Sequence, residues 1–360
     1  MNLSDISALR LHNQQIVSTN FKTVQELVGW MGAMQAQDFN QAKWAIGVRL
    51  PHLTEEQIES AFNQGEIIRT HLMRPTWHFV SADDIYWLLE LTAKQIKSTT
   101  KSRHRDLGLT ENDLKKSKEV FVKSLEGNRS LTREELGDQL NRAGINTFEQ
   151  RLPHILMDAE IDGVICSGGI QGKKQTYALL AERVPEKQTF TKDEALALLG
   201  KKYFTSHGPA TLADFVWWSG LPITDARKAL EMNKANLISE TISADTYWLS
   251  DSVNLPTSPP DSVYLLPAFD EYLISYKNRS AAITVDHHSK AISNNGIFWP
   301  VIVVNGQISG LWKRTIKKDT VIIELDHFRP HNKKEIGLIE KAAESFGHYS
   351  GKKTEVKFQE

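Results

Sequence analysis

The segment Gly163-Val164-Ile165-Cys166-Ser167-Gly168-Gly169-Ile170-Gln171-Gly172-Lys173-Lys174-Gln175-Thr176-Tyr177-Ala178-Leu179 predicts two short strands joined by a glycine-rich turn over 168–174. Upstream, Thr132-Arg133-Glu134-Glu135 and Thr147-Phe148-Glu149-Gln150 each place a hydroxyl at the start of a predicted amphipathic helix. A helix, a turn, a second helix and a hairpin together predict a winged helix. Lys173 and Lys174 lie at the tip of its wing, where a phosphate backbone could meet them.

The segments on either side repeat this pattern. Before it, Thr23-Val24-Gln25-Glu26 and Thr54-Glu55-Glu56-Gln57 open predicted helices, the first over 23–34, and a short strand follows Pro75. After it, the sequence predicts further helices and a hairpin at 192–203, at 211–218, from Thr224 to Leu230, and at 237–242 with 247–249. A plain helical bundle is the alternative, but three recurrences favour tandem winged helices.

The last part of the chain changes character after a Pro-rich linker at 254–260. Apolar strands are predicted at 263–266 and 297–304, and Asn305-Gly306 predicts a type I′ hairpin turn into 307–315. An amphipathic helix over 334–346 follows, so an antiparallel sheet or small barrel is expected.

The predicted fold is therefore α+β and mainly helical, with three tandem winged-helix units and a C-terminal antiparallel β-barrel-like domain. The predicted boundaries are 1–106, 107–186, 187–252 and 253–360.

The composition of the 360 residues, 40% hydrophobic and 24% charged, is typical of a soluble globular protein. No apolar run approaches the roughly 20 residues of a membrane span, and Met1-Asn2-Leu3-Ser4-Asp5 has no signal-peptide character. We therefore expect a cytoplasmic protein. The single cysteine, Cys166, excludes a disulfide framework and a cysteine-based zinc site.

The net charge of −1 argues against a uniformly basic DNA-binding protein, but local cationic clusters remain. One twelve-residue window without acids contains Lys94, Lys97, Lys101, Arg103 and Arg105. A second cluster contains Lys313, Arg314, Lys317 and Lys318. Each cluster could equally be a solvated surface.

The stretch Met31-Gly32-Ala33-Met34-Gln35-Ala36-Gln37-Asp38-Phe39-Asn40 places two glutamines on either side of a small residue. A glutamine amide both accepts and donates hydrogen bonds, yet it does not titrate. Alone, Gln35 and Gln37 could simply cap a helix.

Several motifs, spread in order over almost the whole chain, carry a resemblance to a known family. They are Met34–Asp38, Arg69-Thr70-His71-Leu72-Met73-Arg74-Pro75-Thr76-Trp77-His78-Phe79-Val80, Ser206–Thr211 with Asp214–Leu221, Leu266-Pro267-Ala268-Phe269-Asp270-Glu271-Tyr272 and Gly310–Arg314. The chain resembles the AlkZ/YcaQ-like winged-helix DNA glycosylases, whose fold is three tandem winged helices with an added β-barrel.

The resemblance implies an activity. The family's catalytic motif is Gln-x-Gln in the AlkZ-like branch and Gln-x-Asp in the YcaQ-like branch, so Gln35 and Gln37 favour the first. Such enzymes excise bulky N7-alkylguanines from DNA and unhook interstrand crosslinks. Asp38 follows the motif without occupying a motif position, so we do not expect it to act as a base.

The expected chemistry suits two neutral amides. Alkylation at N7 leaves guanine positively charged and already a good leaving group. Hydrolysis then needs a held water and stabilisation of an oxocarbenium-like sugar, which Gln35 and Gln37 could provide. We expect a monofunctional enzyme without metal or organic cofactor, because no lysine falls in the motif. Its partner would be double-stranded DNA carrying alkylated bases, bound by a monomer in the cytoplasm or at the nucleoid, with no membrane partner.

The expected DNA contacts come from cationic and imidazole side chains. Arg69 and Arg74 are predicted to bind phosphate, because guanidinium is always charged and bidentate. His71 and His78 line the site or contact phosphate in one interpretation and are packed in the other. The remaining predicted contacts are Lys97, Lys101, Arg103, Lys173, Lys174, Lys313 and Arg314.

Three further groups receive a structural interpretation. Trp217 and Trp218 are expected in the core, and Asp270-Glu271-Tyr272 is expected to bind the barrel to the helical units. Asp286, His287 and His288 are expected in an extended stretch, where neighbours point apart and a metal site is disfavoured.

The main alternative function is a non-catalytic winged-helix DNA-binding protein, such as a regulator. A protein-interaction scaffold is a third interpretation, favoured only if the Lys94–Arg105 and Lys173-Lys174 surfaces are unrelated.

Overall fold

The computed structural model describes residues 1–252 and 261–358, so the predicted linker at 254–260 lies outside the described residues. The elements of residues 1–106 are α1 (Leu3–Asn13), α2 (Val24–Met31), β1 (Met34–Gln35), α3 (Phe39–Gly47), α4 (Glu55–Gln64), β2 (Ile67–Leu72), β3 (Thr76–Ser81) and α5 (Ile85–Asp106).

The middle of the chain has two further groups of elements. Those of residues 107–186 are α6 (Glu111–Leu125), β4 (Leu131–Thr132), α7 (Arg133–Arg142), α8 (Arg151–Ile161), β5 (Ile165–Gln171), β6 (Lys174–Leu179) and α9 (Leu180–Arg183). Those of residues 187–252 are α10 (Lys192–Ser206), α11 (Leu212–Ser219), α12 (Ile223–Asn233), a 3-10 turn (Lys234–Asn236), β7 (Leu237–Ile242) and β8 (Asp245–Ser250).

The elements of residues 261–358 complete the fold, which is α+β as predicted. They are β9 (Val263–Leu266), α13 (Glu271–Ile274), α14 (Val285–Ala291), β10 (Val301–Val304), β11 (Gln307–Ile316), β12 (Thr320–His327), α15 (Lys333–Ser350) and β13 (Lys353–Phe358).

The first sheet carries the glutamine motif. Its strand order is β1-β3-β2, with both pairs antiparallel. The predicted capping boxes at Thr23 and Thr54 are both present. The predicted helix over 23–34 is too long at its C-terminal end, because Gly32 adopts a φ of 76° and ends α2. The turn at Gly32 connects α2 to β1.

The predicted hairpin of the second unit is present, but its turn is tighter than expected. Strands β5 and β6 pair up to Gln171 and Lys174, so only Gly172 and Lys173 form the turn. Gly168 and Gly169 lie within β5, where the register shifts. Gly168 and Gly169 therefore interrupt the regular pairing of β5 with β6, instead of forming the turn that the sequence predicted.

The two predicted helix starts of this unit differ in outcome. The capping box at Thr132 is confirmed. The predicted cap at Thr147 is wrong, because α8 begins only at Arg151 and follows Gln150, whose φ is 70° and whose side chain makes no capping bond.

The third group of elements follows the prediction with one exception. The capping box of Thr211 with Asp214 and the hairpin of β7 and β8 are confirmed. The predicted cap at Thr224 is wrong, since Pro222 precedes α12 and Thr224 lies inside the helix. Proline is favoured at a helix start because it lacks the N–H that would have no partner there.

The C-terminal strands form an open sheet instead of a barrel. Their order is β13-β12-β11-β10-β9, so β9 and β13 remain at opposite edges within the described residues. The predicted turn at Asn305 and Gly306 is confirmed, with φ values of 50° and 80°. The alternative of an antiparallel sheet is confirmed for β9 to β12, and the alternative of a barrel is wrong. Helix α15 reverses the chain direction before β13, so β13 pairs with β12 in parallel.

The hydrophobic cores cross the predicted unit boundaries. One core combines apolar residues from the segment Val24–Phe79 with apolar residues of the C-terminal sheet and α15, such as Trp312 and Phe346. A second core joins β2, β3 and α5 to α10, α11 and α12. A third core has all of its fully buried members within Leu109–Leu179, and Trp77 of the first unit packs against it. The second predicted unit thus has a core built mainly from its own residues.

A buried ion pair joins the N-terminal helices to the C-terminal part of the chain. Arg49 Nη1 and Nη2 donate to the Asp270 carboxylate at 2.8 and 2.9 Å, and both side chains are almost fully buried. Arg49 also donates to the Gln14 and Ala45 carbonyls. The pair therefore fixes the segment before α13 against α1 and α3.

Among residues 1–252 and 261–358, none of the helices is long and apolar enough to cross a membrane.

Replacing Asp270 by Asn should destabilise the protein strongly, because it leaves the Arg49 charge buried without a counter-ion. We expect the free energy of unfolding, measured by urea denaturation, to fall by about 3–5 kcal/mol. The control is Asp193→Asn, which removes an exposed pair with Lys228 and should cost less than about 1 kcal/mol. Equal losses in the two variants would contradict this role of Asp270.

Candidate active site

The two motif glutamines lie at the end of a short edge strand. Gln35 is 6% exposed and ends β1, whereas Gln37 is exposed in the turn before α3. The cap of α3 is Asp38, whose carboxylate accepts from the N–H groups of Asn40 and Gln41 at 3.0 and 3.1 Å. Helix capping is therefore the role of Asp38, and the alternative that the glutamines serve as the cap is wrong.

A row of polar side chains crosses the sheet from Gln35. His78 of β3 is paired with Gln35 on one side and with Thr70 of β2 on the other. Directly paired residues point to the same face of a sheet. The Thr70 hydroxyl is buried without a hydrogen-bond partner in the described chain. The three residues thus form a buried polar row across the sheet, from Gln35 on the edge strand to Thr70 on β2.

His78 is a neutral imidazole in a fixed tautomer. It is 1% exposed, and its Nδ1 lies 2.9 Å from the Thr76 carbonyl, which can only accept. The Nδ1 atom therefore carries the proton, and Nε2 is left as an acceptor. Burial and the positive charge of Arg74 lower the pKa of His78 to about 4.

Arg69 lies on the opposite face, as its pairing with Phe79 requires. Its guanidinium donates to the carbonyls of Ala36 and Gln37 at 2.9 and 3.3 Å, and to Gln175 Oε1 at 2.6 Å. Burial lowers its pKa to about 10, so it stays charged at neutral pH. Arg69 thus braces the motif backbone and links it to the hairpin of the second unit.

His71 shares this face and is also engaged within the protein. Its Nδ1 lies 2.6 Å from Glu160 Oε2, and its ring packs on Trp77 with 4.1 Å between centroids. The Arg69 guanidinium also lies over the Trp77 ring, 4.1 Å from the ring centroid. Of the predicted imidazole contacts, His71 is therefore partly accessible and His78 is buried.

Arg74 follows the strand β2 and lies near the Gln35 face. Its guanidinium is 5.5 Å from the Trp217 ring, and its Nε is buried with no partner among the described residues. Burial lowers the pKa of Arg74. The expectation that both tryptophans are core residues is correct for Trp218 but wrong for Trp217, which is 38% exposed. The Trp217 indole N–H donates to the Ile274 carbonyl at 2.7 Å.

A carboxylate from the C-terminal part of the chain reaches the motif. Glu271 Oε1 accepts from the Gln35 backbone N–H at 2.5 Å, and Asp270 beside it pairs with Arg49. The predicted structural role of the Asp270-Glu271-Tyr272 motif is confirmed by these contacts. Its approach to Gln35 was not predicted, because 236 residues separate the two.

The predicted lysine contacts lie on three separate elements. Lys101 and Arg103 are exposed on α5, Lys173 and Lys174 are exposed on the β5–β6 hairpin, and Lys313 is exposed on β11.

Two of the predicted cationic contacts already have partners. Lys97 forms an ion pair with Asp162. Arg314 is half-buried, with its guanidinium 5.2 Å from the Phe346 ring. Both therefore have less freedom to reach DNA than the exposed lysines.

The Asp286–His288 segment belongs to α14, so the expected extended conformation is wrong. In the described ranges 1–252 and 261–358, no group of three or more His, Cys, Asp or Glu side chains has an arrangement that could hold a metal.

Comparison with known proteins gives a consistent result. The family model "DNA glycosylase AlkZ-like" matches residues 28–349. An interstrand DNA cross-link repair glycosylase from Streptomyces sahachiroi is 25% identical over 328 residues, which is 86% of each chain. The solved structure of the Streptomyces sahachiroi DNA glycosylase AlkZ matches with a TM-score of 0.83 and 22% identity over the full length of both chains. The fold and the family match thus agree, and this chain belongs to the AlkZ-like DNA glycosylase family.

Proposed function

We propose that this chain is a monofunctional DNA-repair glycosylase that hydrolyses the N-glycosidic bond of N7-alkylated purines, bulky adducts included. The observation that carries the proposal is the placement of the buried Gln35 and the exposed Gln37 at the end of an edge strand whose backbone is held by Arg69 and Glu271, within a chain of this family. The similarity to an interstrand cross-link repair glycosylase extends the proposal to the unhooking of crosslinks.

The chemistry follows from the neutrality of the site. The alkylated purine leaves with the bonding electrons and thereby loses its positive charge, while the sugar carbon becomes cationic. A water held between Gln35 and Gln37 adds to that carbon and releases a proton to solvent. Amide oxygen dipoles stabilise the developing cation without any change of protonation. The neutral site favours lesions that are already charged over intact bases.

The proposed DNA-binding surface is built from the exposed cations of several elements. Exposed side chains would contact the phosphates: Lys101, Arg103, Lys173, Lys174 and Lys313.

The other predicted contacts are proposed as secondary ones. Arg74, Lys97 and Arg314 would bind phosphate after giving up a contact within the protein. Arg69, His71 and His78 act mainly by supporting the sheet.

We further propose that the three helical groups, 1–106, 107–186 and 187–252, are winged-helix units, followed by the sheet domain at 253–360. Each group contains helices followed by an antiparallel pair of strands. The protein would act as a monomer on DNA, in the cytoplasm and at the nucleoid.

Gln35→Ala and Gln37→Ala should each slow base release while DNA binding persists, because each removes a group that holds the water. We expect single-turnover release of N7-methylguanine and of a bulkier N7 adduct to fall about 100-fold or more. Asn40→Ala, which shortens an exposed amide three residues after Gln37, serves as the control and should leave the rate unchanged. Binding without release by the wild-type protein would favour the regulator alternative, and equal rates in all variants would place the site elsewhere.

The rate of release should not depend on pH near neutrality. The pKa of His78 is lowered to about 4, so this imidazole is neutral above that value and gains a proton only below it. The Glu271 carboxylate, with a pKa of about 2, stays ionised over the same range. Release rates, corrected for spontaneous loss, should therefore be constant from about pH 5.5 to 8.5. A change in the release rate with a midpoint near pH 6 or 7 would indicate a titrating catalytic base and would contradict the neutral mechanism.

The double variant Lys173→Ala/Lys174→Ala should weaken DNA binding in a salt-dependent way. Removing two phosphate contacts should lower the slope of log Kd against log salt concentration by about 1–2. The matched control removes Lys333 and Lys334, an adjacent pair of exposed lysines on α15. If both double variants change the slope equally, the hairpin does not contact DNA specifically.

A further inference from the structure

The backbone N–H of Gln35 points away from its own sheet. Ala36 donates its N–H to the Trp77 carbonyl at 2.8 Å, toward β3. Successive N–H groups of a strand point in opposite directions, so the Gln35 N–H faces the open edge. Because β1 is an edge strand, no neighbouring strand can accept that hydrogen bond. The acceptor is the carboxylate of Glu271, at 2.5 Å.

The same carboxylate accepts from one donor in α11 and from one donor at the end of its own helix, α13. The Trp218 indole N–H of α11 donates to Oε2 at 3.1 Å, and the Ser275 hydroxyl donates to the same oxygen. His207 Nε2 lies 3.5 Å from it. Glu271 is 2% exposed, so its position is set entirely by these protein groups.

Glu271 is an ionised acceptor in spite of its burial. Burial alone would raise its pKa, but the His207 imidazole, the Ser275 hydroxyl and the Gln35 N–H outweigh this and lower the pKa to about 2. Hydrogen bonds to an ionised acceptor are shorter and about twice as strong as neutral ones. The contact at Gln35 therefore restrains the strand firmly.

The Gln35 side chain is fixed by a second contact. Its Oε1 accepts from the N–H of Ala36 at 3.0 Å, so the amide orientation depends on the backbone around residue 35. On the other side, the Arg69 guanidinium holds the carbonyls of Ala36 and Gln37. The motif is thus restrained by an anion at its N–H group and by a cation at its carbonyls.

We propose that Glu271 is the positioning residue of this site: through the Gln35 N–H it fixes the strand so that the Gln35 amide is directed at the reacting water. The inference rests on the proposed glycosylase function. Glu271 itself does not touch substrate. It acts through Gln35, and the buried groups Trp218, Ser275 and His207 keep it in place.

Glu271→Gln tests this role with little change in volume. An amide that turns its oxygen to Gln35 must turn its NH₂ group to the Trp218 N–H, which is also a donor, so both bonds cannot form. We expect single-turnover release to slow about 10- to 100-fold, with the Kd for lesion DNA unchanged within about twofold. Ser275→Ala, which removes one donor to Glu271 and is milder for folding, should slow release in the same direction by a smaller factor.

The control variant is Asp270→Asn. It lies next to Glu271 and removes a buried charge, but it leaves the Gln35 contact in place. It should lower stability and leave the release rate of the folded protein unchanged. If Asp270→Asn and Glu271→Gln slow release equally, the effect is a general loss of structure, and the proposal is overturned.

A second readout is independent of catalysis. A backbone N–H bonded at 2.5 Å to a carboxylate should give a strongly downfield amide proton resonance. This signal of Gln35 should move upfield in Glu271→Gln and stay in place in Asp270→Asn. An unchanged resonance in Glu271→Gln would overturn the proposal even if the wild type releases no base. Absence of release by the wild type, with the resonance shifting as expected, would instead reject only the proposed function.

Discussion

The buried ion pair between Arg49 and Asp270 is the interaction on which the rest of the structure depends. Two charges in a dry interior are tolerated only when they are paired and their remaining hydrogen-bonding groups are satisfied. Arg49 meets this requirement by bonding to Asp270 and to the Gln14 and Ala45 carbonyls. The pair fixes the segment before α13 against the N-terminal helices, whereas Glu271, the next residue, is held by hydrogen bonds of its own.

The placement of Glu271 explains how a two-residue strand can hold the glutamine motif in position. Strand β1 has few hydrogen bonds of its own and one open edge. Glu271 occupies that edge, while Arg69 holds the carbonyls that follow. Glu271 and Arg69 thus act on the backbone of the motif, and the two side chains paired in the row beside Gln35, His78 and Thr70, are neutral. Neutral neighbours of Gln35 would suit the cationic leaving group of the proposed reaction.

Because the hydrophobic cores are shared, the position of the candidate site depends on packing between distant parts of the chain. The sheet that carries Gln35 packs one face against the core of the C-terminal sheet and the other against the core of α10, α11 and α12. The second unit has its own core and contacts the motif strand through Gln175 and Arg69. Its exposed lysines, which are proposed to contact phosphate, therefore belong to a unit that is joined to the motif strand by a defined contact.

The sequence by itself determined the local elements and the family. Capping boxes at Thr23, Thr54, Thr132 and Thr211, and the turn at Asn305-Gly306, are decided by neighbouring residues, and each was correctly predicted. Tertiary structure decided the open sheet, the start of α8 at Arg151, and the hydrogen bonds by which Glu271 and Arg69 hold the backbone of the glutamine motif. Those features depend on partners far away in the chain, and the pairing of a strand edge or a buried charge leaves no periodic pattern in sequence. The glutamine motif could therefore be found by resemblance, while the groups that position it became visible only in the folded chain.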